Sequence, residues 1–236
     1  MTKEYVILPE PTHNFGYGFG YIPLTNEYKV VALCKSSNFI EVMVYTLGSD
    51  NIGWRSVGMF IHAGQCDTDI NGRLGVFVNG ALYWVHDGRE ILVFYLAEER
   101  FYLHIRLPPQ GGYLMDDKIG VLGGFLFHTM RYSYSDDSAA SHDVWLYKKK
   151  NDNDDMKQQD VTKEFKLPAE EILDFTRSGG ILTYSSNNLN LYDPKTSTSK
   201  TLAFFREGFR RVFPHRNTLL SLEELGEEDT EIMKSR

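Results

Sequence analysis

The segment Gly75-Val-Phe-Val-Asn-Gly-Ala-Leu-Tyr-Trp84 decides the fold, because two apolar runs flank an Asn-Gly pair. Asn79 and Gly80 both tolerate positive φ angles, which a two-residue hairpin turn requires. The flanking runs are rich in β-branched and aromatic residues, which favour strands. Since almost every residue in them is apolar, we predict two strands whose faces are both buried.

Two further segments, Ile119–Phe127 and Leu173–Thr183, repeat this hairpin with a Gly-Gly pair at the turn. A second kind of strand pair interleaves with it, in which the first strand carries a tyrosine near its end. Since each hairpin precedes one of these pairs, the predicted unit has four strands, and its period of about fifty residues is typical of propeller blades. A β-sandwich would not need this period, and the frequent turn signals argue against helices. The marker tyrosines, spaced by 50, 52 and 45 residues, are Tyr45, Tyr95, Tyr147 and Tyr192.

The composition narrows the class of protein. The chain has 236 residues, a formal net charge of −7 and 14% aromatic residues. This negative net charge does not provide the basic surface that nucleic-acid-binding proteins present. Two cysteines are too few for a disulfide framework, and neither a signal peptide nor a long apolar run occurs. We therefore expect an intracellular protein, cytoplasmic or nuclear, with no nucleic-acid or membrane partner.

The segment Phe19-Gly-Tyr-Ile-Pro-Leu-Thr-Asn-Glu-Tyr-Lys-Val-Val31 is similar to the GFGYDP.T.DYKVV signature of the plant F-box-associated domain. Five further motifs follow in the order of that family and with compatible spacing, so that the resemblance extends from about Thr2 to Leu222. They lie within Val44–Arg55, Val78–Trp84, Ile91–Phe101, Leu122–Tyr147 and Tyr192–Thr196.

The resemblance implies an all-β fold, a kelch-like β-propeller of about five four-stranded blades. It divides the chain into a propeller domain, residues 1–222, and a polar tail, residues 223–236. Thr2–Pro9 resembles the end of a motif in the first blade of the family. We therefore expect an incomplete N-terminal blade. The given sequence holds no F-box, either because it is a fragment of a longer protein or because it is a natural short form.

In the family, an N-terminal F-box binds the Skp1-type adaptor of an SCF ubiquitin ligase, and the propeller holds the protein to be ubiquitinated. The resemblance therefore implies a substrate-recognition domain with a protein partner, and a Skp1-type adaptor only where an F-box lies upstream. The alternative is a propeller repurposed in plant metabolism to bind a small molecule. Such a protein would either bind the small molecule without changing it or convert it as a cofactor-free acid–base isomerase, cyclase or lyase that uses His and Tyr side chains. We favour the binding module over the enzyme, and expect no cofactor.

In a propeller, the loops that leave the outer strand and those that join the second and third strands gather on one face. Binding residues concentrate on loops that a rigid scaffold holds. Histidines and mixed charges are frequent in the segments that we assign to this face, and a central funnel there suits a small molecule. The candidate binding residues are His13, Phe15, Tyr17, His62, His86, His128, Arg131, Tyr132, His142 and Arg210.

Two sequence patterns resemble ligand sites but predict structure instead. Gly16-x-Gly18-x-Gly20 is not followed by a helix pattern, so it predicts a strand in a crowded place rather than a phosphate loop. The run Asn151–Asp155 lacks the glycine and the closing glutamate of a calcium loop, so it predicts a solvated hairpin tip.

Catalytic and metal patterns are also weak. Ser141, His142 and Asp143 are adjacent in sequence, whereas a triad is assembled in space from separate segments. Zinc ligand types occur near residue 66 without the usual spacing, so we expect no metal site. These residues are His62, Cys66, Asp67 and Asp69.

Overall fold

Strands are the only regular elements in the part of the chain that the structure describes, which confirms the all-β prediction. The structure is a computed structural model. Among its described residues, no helix is long and apolar enough to cross a membrane. The described residues are 4–11, 13–35, 39–49, 53–61, 73–86, 90–106, 113–133, 141–149, 159–168, 171–176, 178–185, 187–206, 222 and 231–232.

The strands fall into two compact units, one formed by residues 1–107 with residues 216–236 and the other by residues 108–215. In chain order they are β1 (Glu4–Tyr5), β2 (Asn14–Ile22), β3 (Glu27–Lys35), β4 (Phe39–Thr46), β5 (Arg55–Ile61), β6 (Arg73–Val78), β7 (Ala81–His86), β8 (Glu90–Tyr95), β9 (Arg100–Arg106), β10 (Tyr113–Leu122), β11 (Phe125–Ser133), β12 (Ser141–Lys149), β13 (Gln159–Pro168), β14 (Glu171–Phe175), β15 (Ile181–Ser185), β16 (Asn188–Asp193), β17 (Thr198–Phe204) and β18 (Glu231–Ile232).

The four-strand repeat predicted from the sequence is confirmed. β2–β5, β6–β9, β10–β13 and β14–β17 each form an antiparallel meander of four strands in sequence order. All four marker tyrosines lie on the third strand of their meander. Asn79 (φ 50°) and Gly80 (φ 82°) form the turn between β6 and β7, as the Asn-Gly pair predicts.

The first unit joins its two meanders through their first strands. β2 and β6 pair in parallel, with Gly16 opposite Arg73 and Gly18 opposite Gly75. An apolar core lies where the two meanders meet. Its buried members are Ile22, Val31, Leu33, Ile40, Val42, Val44, Leu82, Trp84, Leu92, Phe94 and Leu96.

Trp84 occupies the space that two glycines leave open in this core. A Cβ atom on Gly75 would lie 2.5 Å from the indole ring, and one on Gly18 would lie 2.7 Å from it. The ring is fully buried, and its Nε1 donates a hydrogen bond to the carbonyl of Tyr17 at 3.1 Å. The close approach expected at the glycine-rich segment is therefore made by a side chain of the second meander.

The second unit places two four-stranded sheets against each other. Its buried core draws from both sheets, so that each meander buries one apolar face against its neighbour in sequence. The core members are Leu122, Phe127, Val144, Leu146, Leu167, Ile172, Ile181 and Tyr192.

A two-stranded sheet in the first unit pairs residues from the two ends of the chain. Glu4 of β1 lies opposite Ile232 of β18, and Tyr5 lies opposite Glu231. The hydroxyl of Tyr5 donates a hydrogen bond to the Glu231 carboxylate. β18 falls within the predicted polar tail, where no sequence pattern indicates a strand. The count of about five blades, the kelch-like type and the domain limits stay predictions.

We predict that Gly75→Ala destabilises the protein by about 1–3 kcal/mol, because the new methyl group overpacks the core against Trp84. The three atoms nearest to that methyl group all belong to the indole ring. Trp84→Leu alone should cost a similar amount or more, because it leaves a cavity. In the double variant the smaller side chain makes room for the methyl group. In urea unfolding, the double variant should therefore lose less stability than the two single variants lose in total. Strictly additive losses would contradict the contact.

Candidate functional site

A row of polar residues lies at one end of the first meander. Asn14, Cys34 and Glu41 are opposite one another on β2, β3 and β4. His13 precedes β2, and its carbonyl accepts a hydrogen bond from the backbone N–H of Lys35 at 2.9 Å. We call this row the upper edge, and its members are Glu10, His13, Asn14, Cys34, Lys35 and Glu41.

The upper edge has fixed local geometry and charges of both signs. His13 is exposed and takes a left-handed conformation, φ 56°, which is uncommon outside glycine. The amide of Asn14 donates hydrogen bonds to the Glu10 carboxylate at 3.3 Å and to the carbonyl of Pro11 at 3.2 Å. These contacts hold the turn into β2, so that the acidic and basic groups of the edge are presented on an ordered backbone.

Two reactive side chains near the upper edge are held in their protonated forms. Burial raises the pKa of the Cys34 thiol, and the charge of Glu41 raises it further. Burial also raises the pKa of the Tyr17 phenol, with smaller contributions from Glu10 and Cys34. A protonated thiol is a poor nucleophile, and a protonated phenol can donate a hydrogen bond. This edge is therefore better suited to hydrogen bonding than to nucleophilic catalysis.

The structure places the other candidates of the first unit differently. Tyr17 is half-buried within β2, and Phe15 lies on the same strand, with its side chain outside the described residues. His86 ends β7 and is buried, with 4% of its surface exposed, rather than lying in an exposed loop. His62 lies outside the described residues.

In the second unit the candidates lie on two neighbouring strands. His128 is in the middle of β11 and fully buried, and its Nε2 lies 3.9 Å from the Asp117 carboxylate, beyond hydrogen-bond distance. Arg131 of β11 is directly opposite His142 of β12, and Tyr132 follows Arg131. The side chains of these last three, and all of Arg210, lie outside the described residues.

The described residues contain no group of three or more His, Cys, Asp and Glu side chains that could hold a metal ion. The zinc-type residues near position 66 lie outside the described part of the chain, so the expectation that there is no metal site stays a prediction.

A charge cluster around the buried Lys29, which the sequence did not indicate, links the two meanders of the first unit. Lys29 of β3 is buried, and its Nζ lies 2.6 Å from Glu99 and 3.3 Å from Glu27. Arg55 of β5 donates a second hydrogen bond to the Glu99 carboxylate. Since its charges are paired, we interpret this cluster as structural. Glu99 follows the aromatic strand of another repeat, and no local pattern marks it as the partner of Lys29.

The pKa of Glu99 is the net result of opposing effects. Burial on its own would raise the pKa of this carboxyl group. Hydrogen bonds from Arg55 and Lys29, with the charges of both, outweigh burial and hold the pKa below its usual value. The folded protein therefore favours the ionised form of Glu99.

Comparison with known proteins agrees with this fold. Residues 1–122 match the family model described as the F-box associated beta propeller domain. The chain is also similar to the F-box protein At1g52495 of Arabidopsis thaliana, with 32% identity over 118 residues, covering 44% of this chain and 26% of the relative. The matched part thus spans about a quarter of the length of that relative.

The family match covers 122 of 236 residues and ends with β10. Together with the four-stranded meanders, it shows that the chain belongs to the F-box-associated domain family. The resemblance predicted from the motifs is confirmed, and the fold is consistent with a β-propeller.

We predict that Glu99→Gln destabilises the protein at pH 7 by about 1–3 kcal/mol, because it weakens the pairing of the buried Lys29. Since folding lowers the pKa of Glu99, its carboxylate contributes stability above the unfolded-state pKa of about 4.3, and that contribution is lost as pH falls through the folded value. The difference from the wild type in urea unfolding should therefore stay constant from pH 7 to about pH 5 and shrink between about pH 5 and about pH 3. The matched control is Glu98→Gln, at an exposed neighbour, which should change little at either pH. A difference for Glu99→Gln that is independent of pH would contradict the assignment.

Proposed function

We propose that this chain is the substrate-recognition domain of an F-box protein and binds a protein partner through the loop face to which the upper edge belongs. Family membership supports the class of function, since the family model describes a domain associated with F-boxes. The protein would bind a Skp1-type adaptor only if the polypeptide also contains an F-box outside this domain. We place this activity in the cytoplasm or nucleus.

One observation carries the choice of surface. The upper edge presents an exposed histidine and charges of both signs at the ends of strands that are locked by the core beneath them. Such an arrangement suits a polar, mixed-charge partner surface, because complementary charges set specificity and orientation. Residues on ordered strand ends also lose little conformational entropy when a partner binds.

The state of the reactive groups favours binding over catalysis at this edge. Burial keeps the pKa values of Cys34 and Tyr17 above their ordinary values, so that neither group is poised to act as a base or nucleophile at neutral pH. The alternative of a small-molecule-binding protein or acid–base enzyme stays a hypothesis. Its candidate His128 is fully buried, with Nε2 3.9 Å from the Asp117 carboxylate.

We predict that a partner protein from plant extract binds the whole chain and that this binding depends on the upper edge. The upper-edge variant combines His13→Ala, Lys35→Glu and Glu41→Lys, which inverts both charges. The amount of partner that it retains should be lower than that retained by the wild type by a factor of about ten or more. A tenfold weaker affinity corresponds to a loss of about 1.4 kcal/mol of binding free energy. Retention is measured by quantitative mass spectrometry on immobilised protein.

A control variant changes charge at a distance from this edge. It combines Lys195→Glu, before β17, with Lys200→Glu, on β17, and both lysine side chains are exposed. This variant should retain the partner as well as the wild type does. Equal retention by the upper-edge variant would overturn the proposed surface. A specific small metabolite that raises the melting temperature, with no partner captured, would instead favour the alternative.

A further inference from the structure

Trp54 contacts the segment that leads into β2, and three residues of the upper edge lie on that segment. The indole Nε1 of Trp54 donates a hydrogen bond to the carbonyl of Pro9 at 2.5 Å. Glu10 is the next residue along the chain, and His13 directly precedes β2. We call this stretch the entry segment, and its described members are Pro9, Glu10, Pro11, His13 and Asn14.

Hydrogen bonds hold the entry segment at both ends. Next to β2, the carbonyl of His13 accepts a hydrogen bond from the backbone N–H of Lys35 at 2.9 Å. The side-chain amide of Asn14 donates to the carbonyl of Pro11 at 3.2 Å, and Pro11 is buried. The hydrogen bond from Trp54 holds the opposite end. A segment fixed at both ends has fewer accessible conformations than a segment fixed at one end, so the residues between the two anchors are ordered before a partner binds.

Glu10 lies between these anchors, and two observations place its carboxylate beside the upper edge. The side-chain amide of Asn14 donates a hydrogen bond to it at 3.3 Å. Burial raises the pKa of the Tyr17 phenol, and the charge of Glu10 raises that pKa further. The ring of Tyr17 in turn contacts that of Trp54, with centroids 6.5 Å apart. The indole that holds the entry segment therefore lies beside a side chain whose ionisation depends on Glu10.

The donor that holds the entry segment is itself fixed by packing. The Trp54 ring is half-buried and contacts the ring of Tyr45 edge to face, with centroids 5.7 Å apart. Since an indole has a single N–H donor, the direction of its hydrogen bond is set once the ring is placed. On the acceptor side, Glu10 precedes Pro11 and is thereby restricted to extended conformations. Donor and acceptor segments are therefore both preorganised.

We infer that Trp54, through this hydrogen bond, positions Glu10 and His13 for partner binding. Trp54 thus acts on the upper edge as a positioning residue without belonging to it. Removal of the indole N–H releases one end of the entry segment, and a partner must then order that segment at a cost in conformational entropy. This inference rests on the proposed function and deepens it, because it states which residue outside the binding surface keeps that surface ordered.

Two other roles would also give Trp54 an effect on partner binding. The packing of its ring could stabilise the first unit as a whole, or the ring could contact the partner directly. Packing depends on the size of the aromatic ring, whereas positioning depends on the N–H donor. A direct contact is independent of Glu10 and His13, whereas positioning acts through them. Variants at these three residues therefore separate the explanations.

Two variants of Trp54 separate the hydrogen-bond donor from the packing. Trp54→Phe keeps a six-membered ring and removes the N–H, whereas Trp54→His keeps an N–H at the corresponding position of a five-membered ring and removes packing area. With immobilised whole chain and plant extract, the amount of partner retained by Trp54→Phe should be lower than that of the wild type by a factor of about five or more. Trp54→His should retain more partner than Trp54→Phe does. The reverse order would indicate packing and overturn the inference.

A second test removes the side chains through which Trp54 is inferred to act. In a background of Glu10→Ala and His13→Ala, Trp54→Phe should change the affinity for the partner less than about twofold, because effects that act through the same groups are not additive. A factor of about five that persists in this background would indicate a direct contact and overturn the inference. The matched control is Trp145→Phe, on β12 of the second unit, which should change partner retention less than about twofold.

A measurement without the partner tests the same hydrogen bond. Backbone order parameters from NMR relaxation are about 0.85 for rigid residues and below about 0.6 for flexible ones. Glu10 should lie in the rigid range in the wild type and in the flexible range in Trp54→Phe. Val31, which is buried in β3, should stay rigid in both proteins. An unchanged order parameter at Glu10, or an equal loss at Val31 that indicates general destabilisation, would overturn the inference.

The outcome is separable from that of the proposed function. If the upper-edge variant loses the partner while Trp54→Phe retains it as the wild type does, only the inference about Trp54 is overturned. If the chain captures no partner that depends on the upper edge, the surface proposed above is overturned together with the inference that rests on it, whatever the order parameter of Glu10.

Discussion

The first unit depends on the contact between the Trp84 indole and the glycines beneath it. Gly18 and Gly75 pair with each other across the parallel seam of β2 and β6, and the absence of two side chains there makes a slot for one large ring. The hydrogen bond to the carbonyl of Tyr17 satisfies the only polar atom of that ring. Because this slot lies in the seam and in the apolar core that the two meanders share, a change in ring or glycine alters both meanders together.

The two faces of β2 follow from this constraint. Glycines on the core side allow the second meander to come close, and the intervening residues, Tyr17, Phe19 and Tyr21, must then lie on the opposite side. A strand whose core face is nearly bare thus gathers its aromatic side chains on the other face. The same alternation that closes the core therefore creates the surface at which Pro9 and Trp54 meet.

Local chemistry made much of the fold predictable. The Asn79-Gly80 turn and the spacing of the tyrosines identify the hairpins and the four-strand unit, because turns and alternation depend on near neighbours. The Trp84 slot, the Lys29–Glu99 pair and the β1–β18 sheet join residues far apart in sequence, and no local pattern specifies them. Among the candidate residues, His13 lies in an exposed turn before a strand, as its place in the sequence pattern predicts, while its role in binding stays a prediction. His128 was less predictable, because a histidine within an apolar strand does not reveal whether it is buried.

The β1–β18 sheet gives the chain a particular mechanical property. It links residues near the two ends through two residue pairs and the hydrogen bond between Tyr5 and Glu231. A force applied to both ends would therefore load this small sheet first, and the meanders between its strands would bear tension only after it opened. Since two pairs of residues resist little force, the sheet would act as a weak latch that shields the stronger sheets from tension until it opens.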